Sequence, residues 1–271
     1  MNDIILGIDI GGSTTKIVGF RGKEMIEPLF VKSTDPTASL YGAFGKFTVE
    51  NCINLTDIDK IRVTGVGSSF VNKDIYGIKT EHIAEFESMG IGGRHIASVD
   101  EAIIVSMGTG TALVFSKNGK TEYLGGTGVG GGTVIGLAKK MLGMSDILQI
   151  AALAEQGDLK NIDLRISDIT VKNISPTLSG DTTAANFGKV SDIASRADIA
   201  LGIINMVVET IVMMSVFASR AKQCKTVILT GNLSVMEQIK PMFEIYSRQF
   251  GVDFVIPDYA NYANAIGAAL K

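Results

Sequence analysis

Cysteine is scarce in this chain, with two residues in all, and the formal net charge is only −3. Cys52 and Cys224 lie far apart and have no partners at metal-ligand spacing. Both are therefore expected as reduced thiols rather than as part of a disulfide framework or a metal site. The 25 basic residues are scattered, which argues against nucleic acid, whose phosphates need a basic stripe. Long apolar runs are also missing. Ile203 to Val208 and Ile211 to Phe217 are separated by Glu209 and Thr210, and nothing reaches the ~18 uncharged apolar residues of a membrane span. Met1-Asn2-Asp3-Ile4-Ile5 offers neither a basic region nor a small-residue cleavage site, so no leader is expected and the reading is cytoplasmic.

What the chain does contain is apolar material and glycine. Hydrophobic residues make up 46% of the 271 positions and charged residues 20%, ample for one large domain or two ordinary ones. The 31 glycines gather in a few short loops. Ile4 to Ile10 reads as a strand ending at Gly11-Gly12, and Thr14 to Phe20 as its hairpin partner. A turn at Arg21-Gly22-Lys23 leads to a third strand near Leu29 to Val31. Asp35-Pro36 gives a cap and a first-turn proline for a helix carrying Leu40, Phe44 and Phe47. Ile61 to Val63 is expected as a strand and Ile83 to Ala97 as a helix.

The pattern then restarts. Ala102 to Ser106 and Ala112 to Ser116 flank Gly108-Thr109-Gly110-Thr111, and Asn118-Gly119 is a hairpin signal into Thr121 to Leu124. Helices are expected over Val134 to Leu142, Ile199 to Lys222, Val235 to Phe250 and Asn261 to Leu270, with strands at Thr226 to Leu229 and Val252 to Ile256. Two α/β half-domains of βββαβα type, residues 1–100 and 101–271, resemble the ribonuclease-H-like halves that flank the ATP cleft of the actin and hexokinase superfamily.

Four constellations carry chemistry. In the first, Asp9-Ile10-Gly11-Gly12-Ser13-Thr14-Thr15-Lys16, glycines let backbone N–H groups approach phosphate oxygens while a hydroxyl and an ammonium add contacts. Asp9 at the strand end suits Mg²⁺ held through water. A single such turn is equally a plain glycine hairpin. The second, Ser106-Met107-Gly108-Thr109-Gly110-Thr111, repeats it in the other half, and together they form jaws for one polyphosphate. The third, Gly125 to Thr133, puts Gly130, Gly131 and Gly132 before a helix whose N-terminus suits anions. Its spacing is neither a Walker loop nor a dinucleotide fingerprint. The fourth is Gly231-Asn232 after an apolar strand, a turn that borders the adenosine in that superfamily.

The order and spacing of Asp9 to Ser13, Glu85-Phe86-Glu87, Gly108 to Thr111, Gly125 to Gly132, Gly157-Asp158 and Asn161-Ile162-Asp163-Leu164 resemble the bacterial type II pantothenate kinases. So does Gly180-Asp181-Thr182-Thr183-Ala184-Ala185-Asn186-Phe187-Gly188, which superfamily membership alone would not require. The resemblance runs from Asp9 to Ala269. It implies transfer of phosphate from MgATP to the primary hydroxyl of pantothenate, with Glu85 in the catalytic position. A carboxylate there can orient the hydroxyl and accept its proton. Glu87, two residues on, points elsewhere on a helix. The resemblance also implies a homodimer through the Ile199 to Lys222 helix, with its Met206, Met213 and Met214. An ordinary buried helix is the competing reading. Thr183 and Ala184 would then complete a neighbour's acceptor pocket.

One departure stands out. Family members place an arginine just before the glycine loop, whereas here Tyr123 precedes Leu124-Gly125-Gly126. A phenol supplies neither the permanent charge nor the planar fork of a guanidinium. Either another cation fills in beside Tyr123 and Gly125, with Arg94 the nearest candidate and a lysine the other, or the acceptor is a different alcohol. Two rivals remain: the dehydratase-activating ATPases, whose bridging cysteines find no match in Cys52 and Cys224, and a silent nucleotide-binding module, which would have no use for Glu85.

Overall fold

The structure is a computed structural model and describes residues 4–32, 35–171 and 180–271. Met1-Asn2-Asp3, part of the leader reading above, lie outside the described residues.

The first half is built on β1 (Ile4–Ile10), β2 (Thr14–Arg21) and β3 (Glu24–Lys32), an antiparallel meander. Helix α1 (Pro36–Glu50) then returns the chain to β4 (Ile58–Thr64), which runs parallel to β1, with β5 (Thr80–His82) at the far edge. Asp35 caps α1 by accepting from the Ala38 N–H at 2.9 Å. Strand β1 is a near-continuous apolar run because both of its faces are covered. Ile4, Leu6, Ile8 and Ile10 join Leu40, Phe44 and Phe47 of α1 and Ile61 and Val63 of β4 in one core. Helix α2 (Glu85–Ala97) follows, starting two residues later than the sequence suggests.

The second half repeats the scheme. Strands β6 (Glu101–Met107), β7 (Thr111–Lys117) and β8 (Lys120–Thr127) form the meander, and α3 (Gly131–Leu142) and α4 (Ile147–Ala154) follow. The short pair β9 (Leu164–Arg165) and β10 (Thr183–Ala185) flanks α5 (Ile166–Ile169), before the long α6 (Arg196–Lys222). The chain ends with β11 (Thr226–Thr230), α7 (Lys240–Phe250), β12 (Asp253–Val255) and α8 (Ala263–Leu270). The two sheets have the orders β3-β2-β1-β4-β5 and β12-β11-β6-β7-β8. With β11 taking the place of β4 and β12 that of β5, they are one topology used twice.

The equivalence extends to single residues. Gly65 follows β4 with φ +86°, and Gly231 follows β11 with φ +88°, each opening a 3-10 turn. A Cβ on Gly65 would come within 2.6 Å of the Ile10 carbonyl oxygen, and one on Gly231 within 2.7 Å of the Met107 backbone. Both positions need glycine twice over, for the positive φ and for the closeness of the first strand's end.

Helices α2 and α8 join the halves crosswise. Met89 of α2 is buried with Ala102, Ile104, Val114 and Ile228 of the second sheet. Ala265, Ile266 and Ala269 of α8 are buried with Val18 and Phe20 of the first. Where the two helices cross, a Cβ on Gly92 would overlap the Ala263 carbonyl and one on Gly267 the Ser88 carbonyl.

The helix expected over Val235 to Phe250 starts only at Lys240. Pro241 lacks an N–H and tolerates only the first helical turn, so two 3-10 turns occupy Asn232–Val235 and Glu237–Ile239 instead. Helix α6 is long and apolar enough to cross a membrane by length and composition, with 61% of its most apolar window buried inside the fold. Ile203, Ile204, Val207, Ile211 and Val216 lie in the second core, so α6 acts as that core's central helix.

Candidate functional site

A cavity of about 540 Å³ opens where the ends of β1 and β6 face each other. One wall is the β1–β2 turn, with Asp9, Gly11, Gly12, Ser13, Thr14 and Lys16, and the opposite wall is the β6–β7 turn, with Gly108, Thr109, Gly110 and Thr111. Each is a tight hairpin. The Gly11 N–H donates to the Thr14 carbonyl at 2.8 Å, which leaves Gly12 and Ser13 exposed at the tip.

Asp9 and Lys16 are direct cross-strand partners on β1 and β2, and their charged atoms lie 3.9 Å apart in a nearly dry setting. Burial raises the pKa of Asp9 and Lys16 only partly offsets it, while burial lowers that of Lys16 against the pull of Asp9. A buried pair of this kind recovers little of its desolvation cost by itself; an added cation would favour the Asp9 anion and a phosphate oxygen the Lys16 ammonium.

Glu85 is the first residue of α2 and lines the same cavity. Its carboxyl is pushed up, first by burial and then by the negative charge of Asp9. Glu87 does not line the cavity and is ion-paired with Lys271, so only one of the two carboxylates is left facing the cleft. Gly231 and Asn232 close the far side with Asn261 and Asn264. Among the described residues the buried Asn232 Oδ1 atom has no hydrogen-bond partner, which leaves one acceptor on this wall unsatisfied.

The other expected residues fall elsewhere. Gly130, Gly131 and Gly132 do not line the cavity. The N–H groups of Gly131 and Gly132, expected free at the start of α3, donate to the Gly108 and Thr109 carbonyls at 2.8 Å each. A Cβ on Gly130 would meet the Gly110 backbone at 2.7–2.8 Å. The glycine loop thus braces the β6–β7 turn, and those two amides are engaged within the chain.

Arg94 does not reach the cavity either. It lies nine residues beyond Glu85, about 13 Å along the helix axis, and its Nε donates to Ser116 Oγ at 2.9 Å. Gly125 is also off the cavity wall, though Tyr123 and Gly126 are on it.

Thr183 and Ala184 sit on β10, away from the cavity. Thr183 Oγ1 accepts from Asn205 of α6 at 3.3 Å. Asn205 also donates to the fully buried Asp163, whose other oxygen accepts from the Phe187 N–H. The Gly180 to Gly188 segment is thereby pinned to α6. Gly157-Asp158 and Asn161 serve the same helix, since the Asp158 N–H and the Asn161 side chain both donate to Asp198 in its first turn.

Sequence reasoning missed Gly65, Val66, Ala112, Asn261 and Asn264, which also line the cavity together with Ser106, Thr127 and Gly128 of the glycine-rich segments, and it gave Phe86 no role. Gly65 was discoverable as the counterpart of Gly231 once the halves are aligned. The two asparagines carry no local signature, because only the placement of α8 brings them in.

Of the two cysteines, Cys52 is exposed and Cys224 buried in the second core. Among the described residues no group of three or more His, Cys, Asp or Glu could hold a metal ion.

The solved structures similar to this chain include the ADPNP-bound activator of 2-hydroxyisocaproyl-CoA dehydratase from Clostridium difficile, at 19% identity and TM-score 0.68, with 98% of this chain and 93% of that one covered. They also include the ROK hexokinase from Thermus thermophilus, at 12% identity and TM-score 0.56, with coverage of 98% and 97%. These likenesses fix the fold as actin/hexokinase-like. Curated relatives named type II pantothenate kinase occur in Staphylococcus saprophyticus, 28% identical over 97% of this chain and 98% of that one, and in Oceanobacillus iheyensis, 27% identical with 98% of each covered. The kinship read from the motifs is the one these relatives carry. The Fumble family model matches residues 43–271, most of the chain, and the chain belongs to the Fumble family.

Proposed function

We propose that this protein is an ATP-dependent kinase that phosphorylates the primary hydroxyl of pantothenate. The observation that carries the reading is the convergence of two equivalent glycine turns and one free carboxylate, Glu85, on a single cavity. In this reading the halves, residues 1–100 and 101–271, are the jaws. The Gly11–Thr14 and Gly108–Thr111 turns take the phosphates from opposite sides, Lys16 adds charge, and Gly231 with Asn232 borders the adenosine. Gly130 to Gly132 contribute by fixing the second turn.

Glu85 orients the acceptor hydroxyl and takes its proton as the new P–O bond forms. Pushed up by burial and by Asp9, it is a better base than an ordinary glutamate. Most of the acceleration comes from positioning and from preset charge in a site that excludes water. Asp9 fits Mg²⁺, being a buried carboxylate at the phosphate turn, and would hold the ion through water. When bound, the ion neutralises charge on the transferring phosphate.

The same reading takes the protein to be a cytoplasmic homodimer. Phe217 of α6 is 59% exposed on the helix that would carry the contact, and Met206, Met213 and Met214 are half-buried beside it. Thr183 and Ala184, away from the cavity of their own subunit, would then complete the acceptor pocket of the neighbour. A panel of alcohols, pantothenate included, incubated with labelled ATP tests the assignment. It predicts label on pantothenate, and no transfer to any alcohol, with ATP bound but unused, would defeat it.

A further inference from the structure

We propose that the Phe86–Tyr123 stack sorts acceptors by charge, so that the protein works best on a hydroxyl compound whose far end is an uncharged amide with an apolar extension. The inference rests on the acceptor reading above and refines it to a substrate class.

Phe86 comes from the first turn of α2 and Tyr123 from β8, and both line the cavity. Their rings lie 4.2 Å apart between centroids and 13° from parallel. They are 38% and 50% exposed, so the stack belongs to the cavity wall and not to a core. Tyr123 owes its position to a bulge. Leu113 pairs with Gly125 and Val114 with Tyr123, leaving Leu124 as the extra residue of β8, and a bulge turns neighbouring side chains from their regular direction. Because Phe86 directly follows Glu85, an acceptor whose hydroxyl meets Glu85 has its remaining atoms within reach of the two rings.

The charges point the same way. Among the described residues lining the cavity the only cation is Lys16, already paired with Asp9, while Asp9 and Glu85 are both acidic. Arg94 is held at Ser116. A free carboxylate at the aromatic end would be desolvated with no unpaired cation among the described lining residues to meet it, beside two carboxylates and the nucleotide's phosphates. An amide avoids that cost. Its carbonyl can accept from the Tyr123 hydroxyl, and an apolar or aryl extension can cover the exposed rings.

The test compares kcat/KM for pantothenate and for its N-phenethyl amide, each with MgATP. The wild type should favour the amide by about tenfold or more, the scale on which apolar contacts discriminate, with the difference in KM rather than kcat. Tyr123→Arg should reverse the order by giving the carboxylate a partner, and Phe86→Ala should reduce the preference for the amide. The MgATP-induced rise in melting temperature serves as the folding control for each variant.

Equal or better use of pantothenate by the wild type overturns the inference while leaving the kinase assignment standing, and it does so without any variant. A preference unchanged by both substitutions overturns it as well. If the wild type binds MgATP but phosphorylates neither compound, the acceptor reading itself has failed and this refinement falls with it.

Discussion

Glu85 and Glu87 are the same residue type two positions apart, and their surroundings give them different work. Glu87 is tied to Lys271, and Glu85 faces the cavity near Asp9. Burial and the Asp9 charge both disfavour the Glu85 anion, so its pKa lies above that of a free glutamate. Only the anion can take a proton. The acid limb of the kcat/KM profile should therefore fall at a higher pH than a free carboxylate would give, with activity lost as pH drops through it. A rate that stays flat down to the ordinary glutamate range would contradict this assignment. The place of Glu85 near a helix start was legible in the sequence, whereas the role given to it came from the family resemblance. The neutral partner of Phe86 was legible only as a departure, since nothing in the sequence indicates that Tyr123 stacks rather than pairs. Arg94 illustrates the opposite limit: its distance from Glu85 along one helix could be counted, but its capture by Ser116 comes from a strand in the other half.

At the scale of elements, glycines decide how the halves meet. Gly92 of α2 and Gly267 of α8 face each other's backbones so closely that a methyl group would overlap a carbonyl oxygen. Gly92→Ala should cost at least the roughly 1–3 kcal/mol typical of overpacking and loosen the cleft that the two helices support. Gly136 of α3 is also helical but exposed, and a methyl group there would point into open space, with nothing within 4 Å of it. At that position the same substitution should be stabilising, by up to about 1 kcal/mol. Denaturant unfolding of the two variants checks the contrast, and equal effects would refute the difference in packing. The strands β1, β2, β6 and β7 could be read from their apolar runs and glycine turns. Strand β5 has three residues and no alternation, so it left no signal. Helix α4 left one that went unread, with Asp146 accepting from the Leu148 and Gln149 N–H groups ahead of an apolar stretch.

At the scale of the whole molecule, two copies of one topology face each other across the cavity. The duplication was visible in the sequence because both copies kept the glycine turn, and it is matched at single residues in Gly65 and Gly231. What stayed hidden was the exchange of helices, in which α2 covers the second sheet and the C-terminal α8 covers the first. Contacts so distant along the chain follow from packing, not from local pattern. Since both jaws and Asn232 would contact the nucleotide, MgATP should stabilise the entire fold. At 100 times its Kd the gain is about 2.7 kcal/mol, or roughly 5–10 °C in Tm for a chain of this size. An unchanged Tm at saturating MgATP would mean that the cleft is not the nucleotide site.

The most direct test of the central claim is turnover with pantothenate in Glu85→Gln and Glu87→Gln, alongside MgATP affinity measured by titration. The account predicts that Glu85→Gln binds MgATP as the wild type does while turnover falls by about 10²-fold or more, and that Glu87→Gln keeps most of its activity. Near-normal turnover in Glu85→Gln, with the loss appearing in Glu87→Gln or in neither variant, would contradict it.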